Sequence, residues 1–220
     1  VLFLSGSWVT KVVHNKPDIG FYTAGDAADI SDKILKKSPG TILIVDVDGG
    51  FGKLADASNS KDNIRTAVEA AVRLEKIGVA GIVIDDQNPL SRKAEGDPGK
   101  EIIAKNSMEQ MIKAIRNAVS SEFVIIGRTA AEQSTVALER AEMLKSAGSD
   151  LVIVEAINDS KQELRKLQSE KDMQLTTIQL DKGQQNPWTR IDHENMGIKV
   201  VLLANALRKR WPADPKDLDK

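Results

Sequence analysis

Seven short runs rich in β-branched residues, LFLSG, TILIVDVD, AGIVIDDQ, FVIIGRT, LVIVEAI, QLTTIQLD and IKVVLLAN, recur along the chain with longer amphipathic stretches between them. Such alternation builds βαβ units and a parallel sheet. Within each run the apolar residues are consecutive, as expected of strands covered on both faces. Between the second and third runs, Ile64, Ala67, Val68, Ala71 and Val72 keep the three-and-four spacing of one helical face, with Asn59 and Ser60 as candidate caps. Met111, Ile112 and Ile115 form a second stripe, and Ala141 and Leu144 a third. Gly78 and Gly148 follow two of these stripes, where a left-handed residue ends a helix.

The expected fold is therefore α/β, a parallel (β/α)8 TIM-type barrel. Seven strands are counted against eight in a closed barrel, and the first opens the chain, so the first βα unit is expected to be missing. At 220 residues without a low-complexity linker, one barrel domain spanning 1–220 is expected. The 31 Lys and Arg nearly balance the 32 Asp and Glu, leaving no net field to gather nucleic acid or an anionic membrane. The apolar runs are too short to span a bilayer and the opening segment does not resemble a signal peptide, so a cytoplasmic protein is the default expectation. The absence of cysteine removes disulfides, thiolate zinc sites and a cysteine nucleophile from consideration.

Most of the runs end in polar residues: Ser5, Asp46 with Asp48, Asp85 with Asp86, Arg128, Glu155, and Gln179 with Asp181. In a barrel these ends converge on the mouth where active sites lie. Asp46 and Asp48 alternate and so are expected on one side of a strand, before a tight turn at Gly49-Gly50-Phe51-Gly52. Two neighbouring carboxylates repel unless a cation lies between them. Mg²⁺ or Mn²⁺ suits such oxygen donors, with Asp85 as a further ligand, although an isolated D-x-D turn is equally a solvated bend. Arg128 carries a planar fork suited to a carboxylate or phosphonate, or serves as a buried partner for one of the aspartates. His14 reads as a surface residue and His193 as a cap or surface residue.

Longer motifs now stand out: DVDGGFG at 46–52, GVAGIVIDDQ at 78–87, PGK at 98–100, GRTAA at 127–131 and ALERAEMLKSAGSDLVIVEAI at 137–157. These resemble the DxDTGYG, GvaGixiEDQ, PGK, ARTDA and AxxRAxxYxxAGADxxFxEA patterns of the phosphoenolpyruvate mutase and isocitrate lyase superfamily. SGSWVTKVVHNKPDIG at 5–20 is similar to its opening segment. The resemblance implies that the backbone of Ser5, Gly6 and Ser7 holds a substrate carboxylate. It also implies that Asp46 contacts the metal while Asp48 and Asp85 bind its waters, with Asp18 a further acidic residue beside it. Arg128 would bind a carboxylate or developing oxyanion, Glu155 would contact substrate, and Gln179 stands where the methylisocitrate lyase branch has Asn.

Departures lie at the chemistry. The lyase loop reading PKRCGH, whose cysteine donates a proton, corresponds to SRKAEG at 91–96, so Ala94 replaces the acid. Gln87 stands where the phosphonomutases have Lys, the ARTDA aspartate is Ala130, and Trp8 adds bulk near the Ser-Gly turn. Lys93 and Glu95 flank the lost cysteine and are either acid–base replacements or two solvated charges. The function expected from the resemblance is a Mg²⁺-dependent (or Mn²⁺-dependent) enzyme that stabilises a 2-oxo acid enolate and cleaves a carbon–carbon bond in a hydroxy or oxo dicarboxylate. A phosphonomutase or phosphonopyruvate-type hydrolase and a non-catalytic oxo-acid-binding protein are the alternatives. The expected partner is a small carboxylate or phosphonate, with neither nucleic acid nor membrane. The superfamily commonly forms tetramers by exchanging a helix beyond the last strand; a homo-oligomer is among the expectations, although the chain's ending soon after Leu207 with Arg-Lys-Arg-Trp-Pro argues against that exchange.

Overall fold

A computed structural model describes residues 1–16, 20–52, 60–93, 97–157, 160–179 and 189–203. Its strands are β1 (Leu2–Leu4), β2 (Leu43–Asp46), β3 (Gly81–Asp85), β4 (Val124–Thr129), β5 (Leu151–Val154), β6 (Thr176–Gln179) and β7 (Val200–Leu203). Its α-helices are α1 (Gly6–Trp8), α2 (Ala24–Lys37), α3 (Ser60–Ile77), α4 (Lys105–Ala118), α5 (Ser134–Ala147), α6 (Lys161–Lys171) and α7 (Arg190–Asn195). Each expected apolar run thus contains a strand. The first five strands form one parallel sheet in chain order and β6 pairs in parallel with β7. A parallel bridge from Val152 to Leu175 brings the approach to β6 alongside β5. This is the parallel α/β architecture of a barrel, although the ring of strand pairs is not closed among the described residues.

Two apolar layers explain why the strands read as continuous hydrophobic runs. Ile44, Val83, Ile126, Ile153, Ile178 and Leu202 form an inner cluster with one contribution from each of β2 to β7. Alternate residues on the other face, including Val45, Ile82, Ile84, Ile125, Val152 and Val154, pack against the helices. Met111, Ile112 and Ile115 of α4, and Ala141 and Leu144 of α5, are buried in that outer layer as their spacing predicts. Gly78 and Gly148 both have positive φ. Asn59, one of the two proposed caps of α3, lies outside the described residues, as does the side chain of Ser60.

The alternation continues past the apolar layer and determines what each strand end does. Two residues beyond the inward Ile44, Val83, Ile126 and Ile153 stand Asp46, Asp85, Arg128 and Glu155. A period of two places these charged residues above the inner core, at the carboxyl end of the sheet. The intervening Asp86 has the opposite task. Its carboxylate accepts from Ala130 N (2.8 Å), Thr129 Oγ1 (2.8 Å) and Arg140 Nη1 (3.0 Å), while Arg140 Nη2 donates to Ile103 O at 2.7 Å. One buried ion pair thereby ties β3, β4, α5 and the segment before α4 together. Arg140→Met leaves Asp86, whose pKa burial already raises, without its cation. Breaking such a pair is expected to cost about 3–5 kcal/mol by urea denaturation, with a larger loss at pH 8 than at pH 5 because the lone carboxylate then cannot stay protonated.

Candidate active site

At the mouth of the sheet the chain between β3 and α4 forms a narrow-necked loop. Gln87 and Ile102 are bridged in antiparallel fashion, Asn88 N donates to Glu101 O at 2.8 Å, and Ser91 Oγ donates to Glu101 Oε2 at 2.6 Å. From this neck the outgoing limb delivers Arg92 inward. Its guanidinium binds Asp85 in a bidentate fashion (Nη1 to Oδ1 3.1 Å, Nη2 to Oδ2 2.9 Å), and Nη2 also lies 2.7 Å from Asp48 Oδ1. Arg92 and Asp85 are 8% and 1% exposed at their side chains, so this contact is almost dehydrated. The returning limb delivers Lys100, whose Nζ lies 2.5 Å from Glu155 Oε2. Glu155 Oε1 accepts from Arg128 Nε at 2.6 Å. Glu155 is therefore held between two cations.

Neighbouring aspartates require a cation, and here the protein itself supplies one in Arg92. Asp46 reaches the cluster from the end of β2 as expected, where its carboxylate accepts from Gly6 N at 3.1 Å and from Asp48 N at 3.2 Å. Asp48 gets there differently. Strand alternation placed it beside Asp46 on one strand face, but β2 ends at Asp46 and Asp48 adopts φ of 50° within the turn. Its main chain still docks to β3, Asp85 N donating to Asp48 O at 2.9 Å. Turn geometry, not strand alternation, aims this carboxylate. Gly6 is required by close approach: a Cβ there would lie 2.8 Å from Tyr22 Cδ1 and 3.1 Å from Asp48 Oδ1.

Other proposed residues are distributed unevenly. Ser5 is buried beside Gly6, whose N–H is already given to Asp46, so that amide does not point to an open carboxylate pocket. Arg128 is buried and pairs with Glu155, and its charge also acts on Asp46 and Asp85. Lys93 Nζ donates to Pro98 O at 2.8 Å and Lys93 N to Gln87 Oε1 at 3.2 Å, so its ammonium fastens the loop to itself. Asp18 and Glu95 lie outside the described residues, as does the side chain of Gln179, whose backbone ends β6. Of the histidines, His14 Nε2 is 3.1 Å from Asp26, whereas His193 is buried in α7 with Nδ1 2.9 Å from Thr189 O, not at the surface.

Three residues at the mouth went unnoticed as participants: Arg92, Lys100 and Tyr22. Arg92 lies within the SRKAEG segment and Lys100 within PGK, where no spacing in the sequence names a partner for either. Tyr22 is buried, packs edge-on to Phe51 at 5.2 Å, and its hydroxyl makes no hydrogen bond among the described residues. Burial, then the charges of Asp46 and Asp48, raise its pKa well above 10.0, so the hydroxyl stays protonated. As the chain's only tyrosine it offered a weak signal without spacing partners.

Burial raises the pKa of Asp46, although Arg92 and Arg128 oppose it. At Asp85 burial pushes upward too, but Arg92 and Arg128 prevail and the net shift is downward. Among the described residues, and counting all carboxylates as ionised, Asp46, Asp48, Asp85 and Glu155 face Arg92, Arg128 and Lys100, leaving one negative charge in excess. The donor set fits a hard divalent cation, since such ions take carboxylate and water oxygen. Exchanging Arg92 for a divalent ion would bring the group to neutrality. Among the described residues no three His, Cys, Asp or Glu side chains converge as direct ligands of one ion. This is compatible with Mg²⁺, which retains several waters and is commonly bound through one or two carboxylates.

Fold and site together define an α/β-barrel protein with a charged, carboxylate-lined mouth. The family profile described as phosphoenolpyruvate phosphomutase matches residues 3–213, and the chain belongs to that family. It is 31% identical over 204 residues to 2-methylisocitrate lyase of Halalkalibacterium halodurans, covering 91% of this chain and 63% of that one. It is 29% identical over 196 residues to 2,3-dimethylmalate lyase of Eubacterium barkeri, covering 87% of this chain and 63% of that one. These relatives extend well beyond the part matched. A crystal structure of 2,3-dimethylmalate lyase superposes with a TM-score of 0.82 at 22% identity over 95% of this chain and 68% of that one, a likeness of fold. Among the described residues no helix is long and apolar enough to cross a membrane.

Glu155 supplies a pH test of the paired cations. Burial favours its neutral form, but Arg128 and Lys100 outweigh burial and hold its pKa below the ordinary 4.5. Its contribution to stability is therefore present above pH 4.5 and lost as pH falls through the depressed value. Denaturant titrations of wild type and Glu155→Gln should show a stability gap at pH 7 that narrows below pH 4.

Proposed function

We propose that the chain is a Mg²⁺- or Mn²⁺-dependent enzyme that stabilises the enolate of a 2-oxo acid and breaks a carbon–carbon bond in a hydroxy or oxo dicarboxylate. The observation that carries this reading is the convergence of Asp46, Asp48 and Asp85 beside Arg128 at the carboxyl ends of neighbouring parallel strands. Asp46 would hold the ion, with Asp48 and Asp85 fixing its waters. When bound, the ion supplies positive charge where an enolate oxygen develops.

The remaining work falls to this chain's residues. Arg128, fixed by Glu155 and buried, presents a permanent charge that needs little reorganisation as negative charge forms on substrate. Lys100 on Glu155 keeps that carboxylate ionised without consuming Arg128 entirely. Both named relatives are lyases of hydroxy acids bearing more than one carboxylate, which supports a substrate of that class. Lys93 and Glu95 are the proposed acid–base groups in place of a cysteine; Lys93 must release Pro98 O to serve.

A non-catalytic oxo-acid-binding role is the second reading, and one observation favours it: Arg92 already neutralises the carboxylates that a metal would use. Thermal unfolding with Mg²⁺ and oxalate, an analogue of a pyruvate enolate, tests the pocket. At about 100 times Kd the pair should stabilise wild type by ~2.7 kcal/mol, roughly 5–10 °C for a chain of this size, and Asp46→Ala should lose the shift. No shift in wild type would sink the enolate reading. A shift without turnover of any hydroxy or oxo dicarboxylate would favour the binder.

A further inference from the structure

Arg92 and a divalent cation make demands on the same atoms. The guanidinium uses both oxygens of Asp85 and one oxygen of Asp48. With Arg92 seated, the four carboxylates and three cations that line the mouth among the described residues carry one excess negative charge. Adding a divalent ion without moving Arg92 would reverse that to an excess positive charge in a dehydrated space and set the guanidinium and the ion's waters in competition for the same oxygens. Either cation alone is accommodated; both together repel at short range, where burial weakens screening.

We propose that Arg92 is an internal counter-cation that competes with the divalent ion for Asp48 and Asp85, so that ion binding requires Arg92 to leave its inward position. This rests on the reading of the pocket as a divalent-cation site. The displacement is local. Gln87 and Asn88 are anchored to the returning limb through Ile102 and Glu101, and Lys93 N is held by Gln87 Oε1, so Arg92 leaves by rotation of its own side chain with little change in the neck. Seated, Arg92 lets three buried carboxylates coexist in the folded protein without metal. Its cost is borne by metal affinity, because an ion that binds only the Arg92-out state sees its apparent affinity lowered by the fraction of molecules in that state. Arg92 then acts as a positioning residue that sets the cation concentration at which the mouth fills.

The test is Mn²⁺ binding measured by EPR of the free ion, with folding checked by circular dichroism. Arg92→Gln keeps hydrogen-bonding capacity but removes the charge, and it should bind Mn²⁺ about tenfold or more tightly than wild type. Arg92→Lys retains one charge on a donor that cannot grip Asp85 in two places, and should fall between the two. Without metal the melting temperature of Arg92→Gln should lie below wild type, and saturating Mn²⁺ should close the gap. If wild type and both variants bind Mn²⁺ with equal affinity, the competition is refuted while the cation site stands. If none of the three binds Mn²⁺, the cation site itself falls and the competition with it. Should Arg92→Gln not fold, equal affinity of wild type and Arg92→Lys would refute the competition and tighter binding by Arg92→Lys would support it.

Discussion

The guanidinium of Arg92 between Asp48 and Asp85 is the contact on which the arrangement of the mouth depends. Three carboxylates drawn into a nearly water-free space repel, and removing each from water costs several kcal/mol unless opposite charge and hydrogen bonds replace the lost hydration. Arg92 contacts two of them directly. Backbone N–H groups of Gly6 and Asp48 serve the third, Asp46. The loop after β3 has to follow the path that brings Arg92 inward, and its returning limb then brings Lys100 to Glu155. One loop thus neutralises both sides of the mouth.

That mouth is an extension of the core. The same alternation that buries Ile44, Val83, Ile126 and Ile153 against one another sets Asp46, Asp85, Arg128 and Glu155 one step further along. Rigidity follows from this continuity, because a side chain two residues above a close-packed layer has little room to drift. Adjacent residues diverge for the same reason: Asp85 faces the inner space and Asp86 faces the helices, where it joins strand ends to α5. Two neighbouring aspartates therefore face opposite ways, Asp85 paired with Arg92 in the mouth and Asp86 with Arg140 in the helix layer.

Much of this was legible in the sequence because it depends on local periodicity. Strands, the stripes of α4 and α5 and the positive-φ glycines follow from patterns of two, three and four residues, and the motifs carried the family. Asp46, Asp85, Arg128 and Glu155 were legible because a strand end in a barrel has a known direction. Arg92 and Lys100 were not, since a loop cation's partner is chosen by the path of a dozen residues and not by spacing. Asp48 reaches the mouth as expected but by a turn and not by strand alternation, because the strand stops at Asp46, and where a strand stops before a glycine-rich turn is poorly marked in sequence. Tyr22 went unnoticed because its burial depends on contact with Gly6 and Phe51, far from it in the chain.

The most direct test of the central claim, that the mouth holds either Arg92 or a divalent cation on these carboxylates, is a pair of crystal structures of the wild-type chain with and without Mn²⁺. Anomalous scattering should place the ion in contact with the Asp46 carboxylate, with the guanidinium of Arg92 withdrawn from Asp48 and Asp85, and the metal-free crystal should show Arg92 bridging them. Arg92 still bridging both carboxylates beside a fully occupied ion would contradict it.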